Sequence, residues 1–163
     1  MTHFSAKLVA RSDKGAAMQS PETNKSREVT RAGTLRVLIV DDDASCANGL
    51  AEAIEEAGAA TKVCLHAAGA LTAMRVFRPD LILLDLEMPD LSGFDIASTI
   101  RTMMWMNSTK LIAISGHNDE AARRSSAKAG FDLHLSKPIK LSLLEDILDL
   151  SRAMTNGTRP VVA

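Results

Sequence analysis

Two short apolar runs, each ending directly in aspartate, constrain the fold of this chain more than any other feature. Residues 35–40 read Leu-Arg-Val-Leu-Ile-Val and precede Asp41, and residues 81–84 read Leu-Ile-Leu-Leu and precede Asp85. A nearly continuous apolar run of this length, rich in branched side chains, predicts a strand that is buried on both faces. Such strands belong to parallel sheets that helices cover on each side.

Strand-like and helix-like segments alternate from residue 35 to residue 152. The pattern predicts five strands, at 35–40, 61–65, 81–84, 110–115 and 133–136, and five helices, at 44–57, 69–77, 94–102, 119–129 and 141–152. With right-handed crossovers, these elements form an α/β fold, a doubly wound five-stranded parallel sheet with five helices. In such a sheet, the functional crevice lies beyond the carboxyl ends of the strands.

The first 33 residues differ in composition from the rest of the chain. They hold six basic and three acidic residues and few large apolar ones, so they cannot bury enough apolar surface to offset the entropy of ordering. We therefore predict a flexible basic tail at 1–33, a folded domain at 34–154 and a second flexible tail at 155–163. A short docking helix with Phe4, Leu8 and Val9 on one face is the alternative for the first tail.

Charge and hydropathy argue against several classes of protein. The formal net charge is −1, which gives no general electrostatic reason to bind nucleic acid or an anionic membrane. No apolar run approaches the ~20 residues that a membrane-spanning helix needs, and no secretory signal precedes the domain. Two cysteines make neither a disulfide framework nor a zinc site. We expect a cytoplasmic protein.

Polar residues follow four of the predicted strands, at the edge where parallel strands end together: Asp41, Asp42 and Asp43, then Asp85, Ser115 and Lys137. Crowded carboxylates repel one another unless a cation or a proton compensates, and Mg²⁺ prefers carboxylate, carbonyl and water oxygens. An acidic cluster beside a hydroxyl and a lysine suits phosphoryl transfer, in which a carboxylate can be the nucleophile. Asp43 is best placed to cap the first helix instead.

Four segments resemble the receiver domain of two-component response regulators, in that family's order and spacing. They are Val37-Leu-Ile-Val-Asp-Asp-Asp43, Leu83-Leu-Asp-Leu-Glu-Met-Pro-Asp-Leu-Ser-Gly93, Ile112-Ala-Ile-Ser-Gly116 and Leu135-Ser-Lys-Pro138. The resemblance covers about residues 34–154 and implies the flavodoxin-like receiver fold. It also implies a partner, either a histidine kinase or a histidine phosphotransfer protein. No output module fits after Arg152, so we expect the output to be made through protein–protein contacts rather than through an attached domain.

The resemblance implies a role for each matching residue. Asp85 is expected to accept the phosphoryl group from a phosphohistidine. Asp42 and Asp85 would bind Mg²⁺ directly, Asp41 would act through water, and the Glu87 backbone carbonyl would complete the set of protein ligands.

The remaining roles concern the phosphoryl group after transfer. Ser115 would bond to it, Lys137 would pair with its oxygens, and Pro138 stands at the family's cis-proline position. The family commonly transmits the change through the surface of its fourth helix, fifth strand and fifth helix.

Three features depart from that pattern. His134 stands where the family often has Tyr or Phe, so the usual aromatic switch is in doubt, and a half-exposed strand residue is the simpler interpretation. Glu87 adds a carboxylate near the site, and we hypothesise that it changes the lifetime of the acyl phosphate.

The run Met103-Met-Trp-Met106 is predicted to pack under a loop or, alternatively, to contact a partner. Cys46 and Cys64 are expected to behave as small buried apolar residues.

Two rival functions remain open. A phosphatase of the haloacid dehalogenase type also uses a strand-end aspartate, Mg²⁺, Ser or Thr and Lys, but it has a second aspartate where this chain has Glu87. A binding module with the same fold, independent of phosphorylation, is the other rival. With every acidic and basic position of the site filled, the sequence gives no reason to prefer that module.

Overall fold

The computed structural model describes residues 33–89 and 91–155. The predicted tails, 1–33 and 155–163, lie outside the described residues except for Gly33 and Thr155, and so does the alternative docking helix. Within the described ranges, none of the helices is long and apolar enough to cross a membrane.

Five strands and five helices alternate along these residues. The strands are β1 (Arg36–Val40), β2 (Ala60–Cys64), β3 (Leu81–Asp85), β4 (Lys110–Ser115) and β5 (Leu133–Ser136). The helices are α1 (Ala44–Glu56), α2 (Ala67–Phe77), α3 (Gly93–Thr102), α4 (Glu120–Ala129) and α5 (Leu141–Thr155), with one 3-10 turn at Met104–Met106. All strand pairs are parallel, and the order in the sheet is β2-β1-β3-β4-β5.

This architecture confirms the predicted fold class and the ten predicted elements, with small corrections at their ends. Strand β2 begins at Ala60 and ends at Cys64, one residue earlier than predicted. Helix α2 begins at Ala67 rather than Gly69, and α5 continues to Thr155 rather than residue 152. Apolar spacing marks where an element packs, whereas its hydrogen-bonded ends extend past the last packed residue.

Strand β3 lies at the centre of the sheet, and all five of its residues are buried. Ile82 and Leu84 face one core layer, shared with residues of α2 and α3. Leu81 and Leu83 face the other layer, shared with α1 and α5. Because both faces are covered, the only polar part of this strand is its carboxyl end, where Asp85 stands.

The Met103–Met106 segment divides between core and surface. Met106 is 1% exposed, and Met103 packs against the core, which confirms the prediction of packing for these two residues. Met104 is 85% exposed instead. The Trp105 ring is partly exposed and lies 4.6 Å from the Arg78 guanidinium carbon, a cation–π contact.

The two cysteines are free and half-buried, so the prediction of buried apolar residues is correct only in part. Cys64 packs against the core layer on the α2 side of the sheet. Burial, together with the charge of Asp41, raises the pKa of the Cys46 thiol to about 11. Burial also raises the pKa of the Cys64 thiol, so neither cysteine is a reactive thiolate at neutral pH.

Candidate functional site

Three carboxylates meet at the carboxyl ends of β1 and β3, which are neighbours in the sheet. One oxygen from each of Asp41, Asp42 and Asp85 lies within 4.8 Å of the others. Asp41 and Asp85 are buried, with 0% and 3% exposure, whereas Asp42 is exposed. In the sheet, β1 lies between β2 and β3, so β1 and β3 are neighbours although β2 separates them in the sequence. This arrangement brings residues more than forty positions apart into one cluster.

Lys137 is the cation of this cluster. Its Nζ lies 2.9 Å from Asp41 Oδ2 and 3.1 Å from Asp85 Oδ2. The Lys137 backbone N–H donates to the Ser115 carbonyl at 2.8 Å, which fixes the start of this loop to the end of β4. The following Lys137–Pro138 peptide bond is cis, as the resemblance implied.

The pKa values of Asp85 and Lys137 are both raised from their ordinary values. Burial raises the pKa of Asp85, and hydrogen bonds from Glu87 N–H and Lys137 oppose that effect only in part. Partial burial works to lower the pKa of Lys137, but its hydrogen bonds to the two carboxylates outweigh burial and raise it. Lys137 is therefore a permanent cation, while Asp85 is a carboxylate held in a poorly solvated position.

Backbone contacts fix the other oxygens of the buried carboxylates. Asp41 Oδ1 accepts the Asp43 N–H at 2.9 Å, and Asp85 Oδ1 accepts the Glu87 N–H at 3.0 Å. Asp43 itself caps α1 by accepting from the N–H groups of Ser45 and Cys46, which confirms its predicted role. The carboxylate cluster is thus built on two tight turns that follow the strands.

Gly93 lets the loop after β3 return close to the site. A Cβ atom at this position would lie 2.6 Å from the Asp85 carbonyl oxygen and 2.9 Å from Leu86 Cα. Both neighbours are backbone atoms, so a side chain would displace the strand end that carries Asp85. Gly93 is therefore needed for close approach of the backbone.

A second polar group lies at the end of β4. Ser115 Oγ donates to Glu87 Oε1 at 3.2 Å and accepts the His117 N–H at 3.0 Å. His117 Nδ1 lies 2.6 Å from the same Glu87 oxygen. The hydrogen bond with His117 is the largest cause of a lowered pKa of Glu87; burial opposes it, and the hydrogen bond from Ser115 lowers the pKa further.

His134 is hydrogen-bonded through both of its ring nitrogens. Nδ1 lies 2.8 Å from Ser126 Oγ on α4, and Nε2 lies 2.9 Å from the His117 carbonyl oxygen. The residue is half-buried, in agreement with the simpler interpretation from the sequence. It connects β5 with α4 and with the loop that leaves Ser115.

The charges at this edge suit a divalent cation. Three carboxylates lie together and a single lysine pairs with two of them, so the cluster has an excess of negative charge, and its ligand atoms are hard oxygens. Such a set fits Mg²⁺, which takes carboxylate, carbonyl and water oxygens. The same edge has a partly desolvated carboxylate that could act as a nucleophile and a lysine that could balance the charge of a phosphoryl group.

Comparison with known proteins identifies the family. The family model described as the response regulator receiver domain matches residues 37–149. The chain belongs to the response regulator receiver domain family. Proteins of this family generally bind Mg²⁺ at a cluster of aspartates such as this one.

Individual relatives agree with that assignment. The chain is 34% identical over 105 residues to the DNA-binding response regulator MtrA of Mycolicibacterium paratuberculosis, a match that covers 64% of this chain and 45% of the relative. The chain thus spans about half the length of the curated relatives that it matches first.

Solved structures show the same fold. The receiver domain of Francisella response regulator 1452 superposes with a TM-score of 0.68 at 27% identity, covering 75% of this chain and 99% of that one. A CheY-like receiver domain from Methanospirillum hungatei superposes with a TM-score of 0.67 at 24% identity, covering 74% and 96%.

The structure brings Asp41, Asp42, Asp85 and Lys137 into one cluster, as the sequence predicts, and places Ser115 with Glu87 at the neighbouring strand end. Sequence reasoning missed His117. Its position two residues after Ser115, in a loop at the same edge, was the available signal, because a residue there can reach any group beside Ser115.

Proposed function

We propose that this receiver domain accepts a phosphoryl group on Asp85, with Mg²⁺, from a phosphohistidine of a histidine kinase or a histidine phosphotransfer protein. The observation that carries the proposal is the cluster of Asp41, Asp42 and Asp85 around Lys137, in a chain of the receiver family. The domain acts as an acceptor that assists its own modification rather than as an enzyme with a separate substrate.

In the transfer step, a carboxylate oxygen of Asp85 attacks phosphorus. The phosphorus–nitrogen bond of the donor breaks, its electron pair stays on the donor imidazole, and an acyl phosphate forms on Asp85. Lys137, 3.1 Å from Asp85 Oδ2, is placed to balance the charge that Asp85 gains. The Ser115 hydroxyl, at the end of the adjacent strand, can donate to a phosphoryl oxygen after it leaves Glu87.

A distinct part is proposed for each metal ligand. Both Asp41 oxygens are engaged, one by Asp43 N–H and one by Lys137, and Asp85 is held in the same way by Glu87 N–H and Lys137. The proposal that Asp41 binds Mg²⁺ through water while Asp85 binds it directly therefore rests on the family pattern. Asp42 is exposed, and it can turn toward the ion as a direct ligand together with Asp85 and the Glu87 carbonyl. When bound, Mg²⁺ supplies neutralisation of charge on the phosphoryl oxygens.

The output is proposed to be an altered contact with a protein partner. Ser115 is linked through the His117 backbone to His134, and His134 is linked to Ser126 on α4. A movement of Ser115 toward a phosphoryl group would disturb this chain of hydrogen bonds, which reaches the surface of α4 and β5. A cytoplasmic location fits this proposal.

The test is acceptor chemistry with a small phosphodonor. The protein is incubated with acetyl phosphate and Mg²⁺, and incorporation is followed by intact mass. We expect one phosphoryl group on the wild type, none on Asp85→Asn and no loss of labelling for Asp80→Asn, a matched aspartate at the opposite edge of the sheet. Labelling that persists in Asp85→Asn would overturn the assignment of the acceptor.

The same assay separates the rivals. Continued release of phosphate from a phosphomonoester, without a stoichiometric phosphoprotein, would favour the phosphatase. A wild-type protein that stays unlabelled and whose thermal stability does not respond to Mg²⁺ would favour the binding module that works without phosphorylation.

A further inference from the structure

The Glu87 carboxylate lies in a cradle of hydrogen-bond donors at the end of β4. Ser115 Oγ donates to Oε1 at 3.2 Å, the His117 imidazole bonds to the same oxygen at 2.6 Å, and the Gly116 backbone lies beside the carboxylate. The two donors, with the Gly116 backbone between them, form a small site for a carboxylate or another anion. In this structure, a side chain of the same domain fills that site.

The Ser115 hydroxyl has a single hydrogen, and Glu87 holds it. The hydroxyl also accepts the His117 N–H at 3.0 Å, so its orientation is fixed from both sides. A phosphoryl oxygen on Asp85 can receive this hydrogen only when Glu87 releases it. The two acceptors therefore compete for one donor.

Glu87 can leave the cradle at small cost. Its side chain is 47% exposed, and the imidazole of His117 is 77% exposed, so both groups can be solvated outside the site. The Glu87 backbone is fixed separately, because its N–H donates to Asp85 Oδ1 at 3.0 Å. The side chain can thus move while the turn that carries it stays in place.

We propose that the Glu87 carboxylate competes with the phosphoryl group for the Ser115–Gly116–His117 cradle. Glu87 occupies the cradle before transfer and must leave it afterwards. His117 acts as a positioning residue that holds Glu87 in the cradle. The inference rests on the proposed function of Asp85. It assigns to Glu87 an effect on the affinity for phosphoryl groups, in addition to any effect on the lifetime of the acyl phosphate.

Beryllium trifluoride, a mimic of the acyl phosphate, measures this competition without turnover. Its affinity in the presence of Mg²⁺ is determined by calorimetry for the wild type, Glu87→Gln and Glu87→Asp. Glu87→Gln removes the charge, and Glu87→Asp keeps the charge but shortens the side chain so that it no longer reaches Ser115. We expect about tenfold tighter binding for both, because Glu87→Gln exchanges a charge-assisted hydrogen bond for a weaker neutral one and Glu87→Asp no longer reaches the cradle.

Two further variants define the mechanism. Glu120→Gln removes a carboxylate that is paired with Arg124 on α4, and we expect it to bind the mimic like the wild type. His117→Asn should give a smaller gain than Glu87→Gln, and no additional gain when combined with it, because the two residues act through one contact. The amide resonances of Gly116 and His117 should shift on Glu87→Asp as on Glu87→Gln, even without the mimic.

The outcomes distinguish the two proposals. Equal affinities for the wild type and both Glu87 variants, within twofold, would overturn the competition while leaving Asp85 as the acceptor. Tighter binding by Glu87→Gln but not by Glu87→Asp would replace competition by simple charge repulsion. If no variant binds the mimic with Mg²⁺, the proposed function is wrong and the competition is overturned with it.

Discussion

The two edges of the sheet both carry aspartates, but only one edge balances their charge. At the amino-terminal edge, Asp80 pairs with Arg36 at 3.2 Å, and Asp132 pairs with Arg101 at 2.6 Å. At the carboxyl-terminal edge, three carboxylates lie close together, and Lys137 pairs with two of them, Asp41 and Asp85. The same residue type thus completes the structure at one edge and leaves excess charge at the other.

The two edges also differ in the backbone N–H groups that donate hydrogen bonds to their aspartates. Asp80 accepts the Arg36 N–H at 2.9 Å and Asp132 accepts the Leu111 N–H at 2.8 Å, so each satisfies a backbone donor at the start of a strand. Asp41 and Asp85 instead accept backbone N–H groups of the turns that immediately follow them, in addition to the Lys137 ammonium. The amino-terminal aspartates therefore hold the sheet together, whereas we expect the buried charge of the carboxyl-terminal cluster to lower stability at a reactive site.

The largest effect is expected for Met106, beneath the amino-terminal edge. Met106 is 1% exposed, and the hydroxyl of Thr109 lies 3.7 Å from its sulfur. Replacement by Ala leaves a cavity between α3 and β4, and we expect Met106→Ala to lower the free energy of unfolding by about 2–5 kcal/mol. Urea denaturation at neutral pH measures the change.

Met104 is the matched control for this prediction. It is the same residue type two positions earlier, and it is 85% exposed. Met104→Ala should change the free energy of unfolding by less than about 0.5 kcal/mol. Equal losses for the two variants would mean that this edge is not packed as described.

Asp132 is expected to give the next largest effect. Asp132→Ala leaves the Leu111 N–H without its side-chain partner and removes the carboxylate that Arg101 and Lys110 share. We expect a loss of about 1–3 kcal/mol in the free energy of unfolding, with acceptor activity retained. Loss of labelling by acetyl phosphate in a folded variant would contradict the division between a structural edge and a reactive edge.

Much of this division could be predicted from the sequence, and the reason is physical. Continuous apolar strands require a covered parallel sheet, and parallel strands end together, so residues placed directly after the strands, such as Asp41, Asp85 and Lys137, had to share one edge. The order of strands within the sheet was not predicted, because it depends on which crossovers connect adjacent strands and which connect strands with another strand between them.

Side-chain contacts were harder to predict than positions. Glu87 was expected near the site, but its hydrogen bonds with Ser115 and His117 depend on loop geometry that no spacing rule describes. The need for Gly93 likewise comes from a 2.6 Å approach to the Asp85 carbonyl, between backbone segments separated by eight residues. Periodicity describes which face a residue occupies, and it contains no information on such contacts.

Asp85 should show the opposite sign from Asp132. Asp85→Asn removes a charge that is buried beside Asp41 while it keeps a side chain of the same shape. We expect the free energy of unfolding at pH 7 without Mg²⁺ to rise by about 1–2 kcal/mol. A decrease in stability would show that the charge of Asp85 helps to hold the cluster together through Lys137.

The smallest effect, and the sharpest test of the comparison, is the pH dependence of that gain. Burial raises the pKa of Asp85 above its ordinary value of 3.8, so the folded state binds this proton more tightly than the unfolded state does. The destabilisation by ionised Asp85 is therefore complete above the folded pKa, and it is relieved as the pH falls toward 3.8. The difference in unfolding free energy between Asp85→Asn and the wild type should accordingly shrink between pH 7 and pH 4, because the other titrating groups are common to both proteins and largely cancel. A difference that stays constant over this range, or that widens toward acid, would mean that Asp85 is no less well solvated in the folded state than the paired aspartates of the opposite edge.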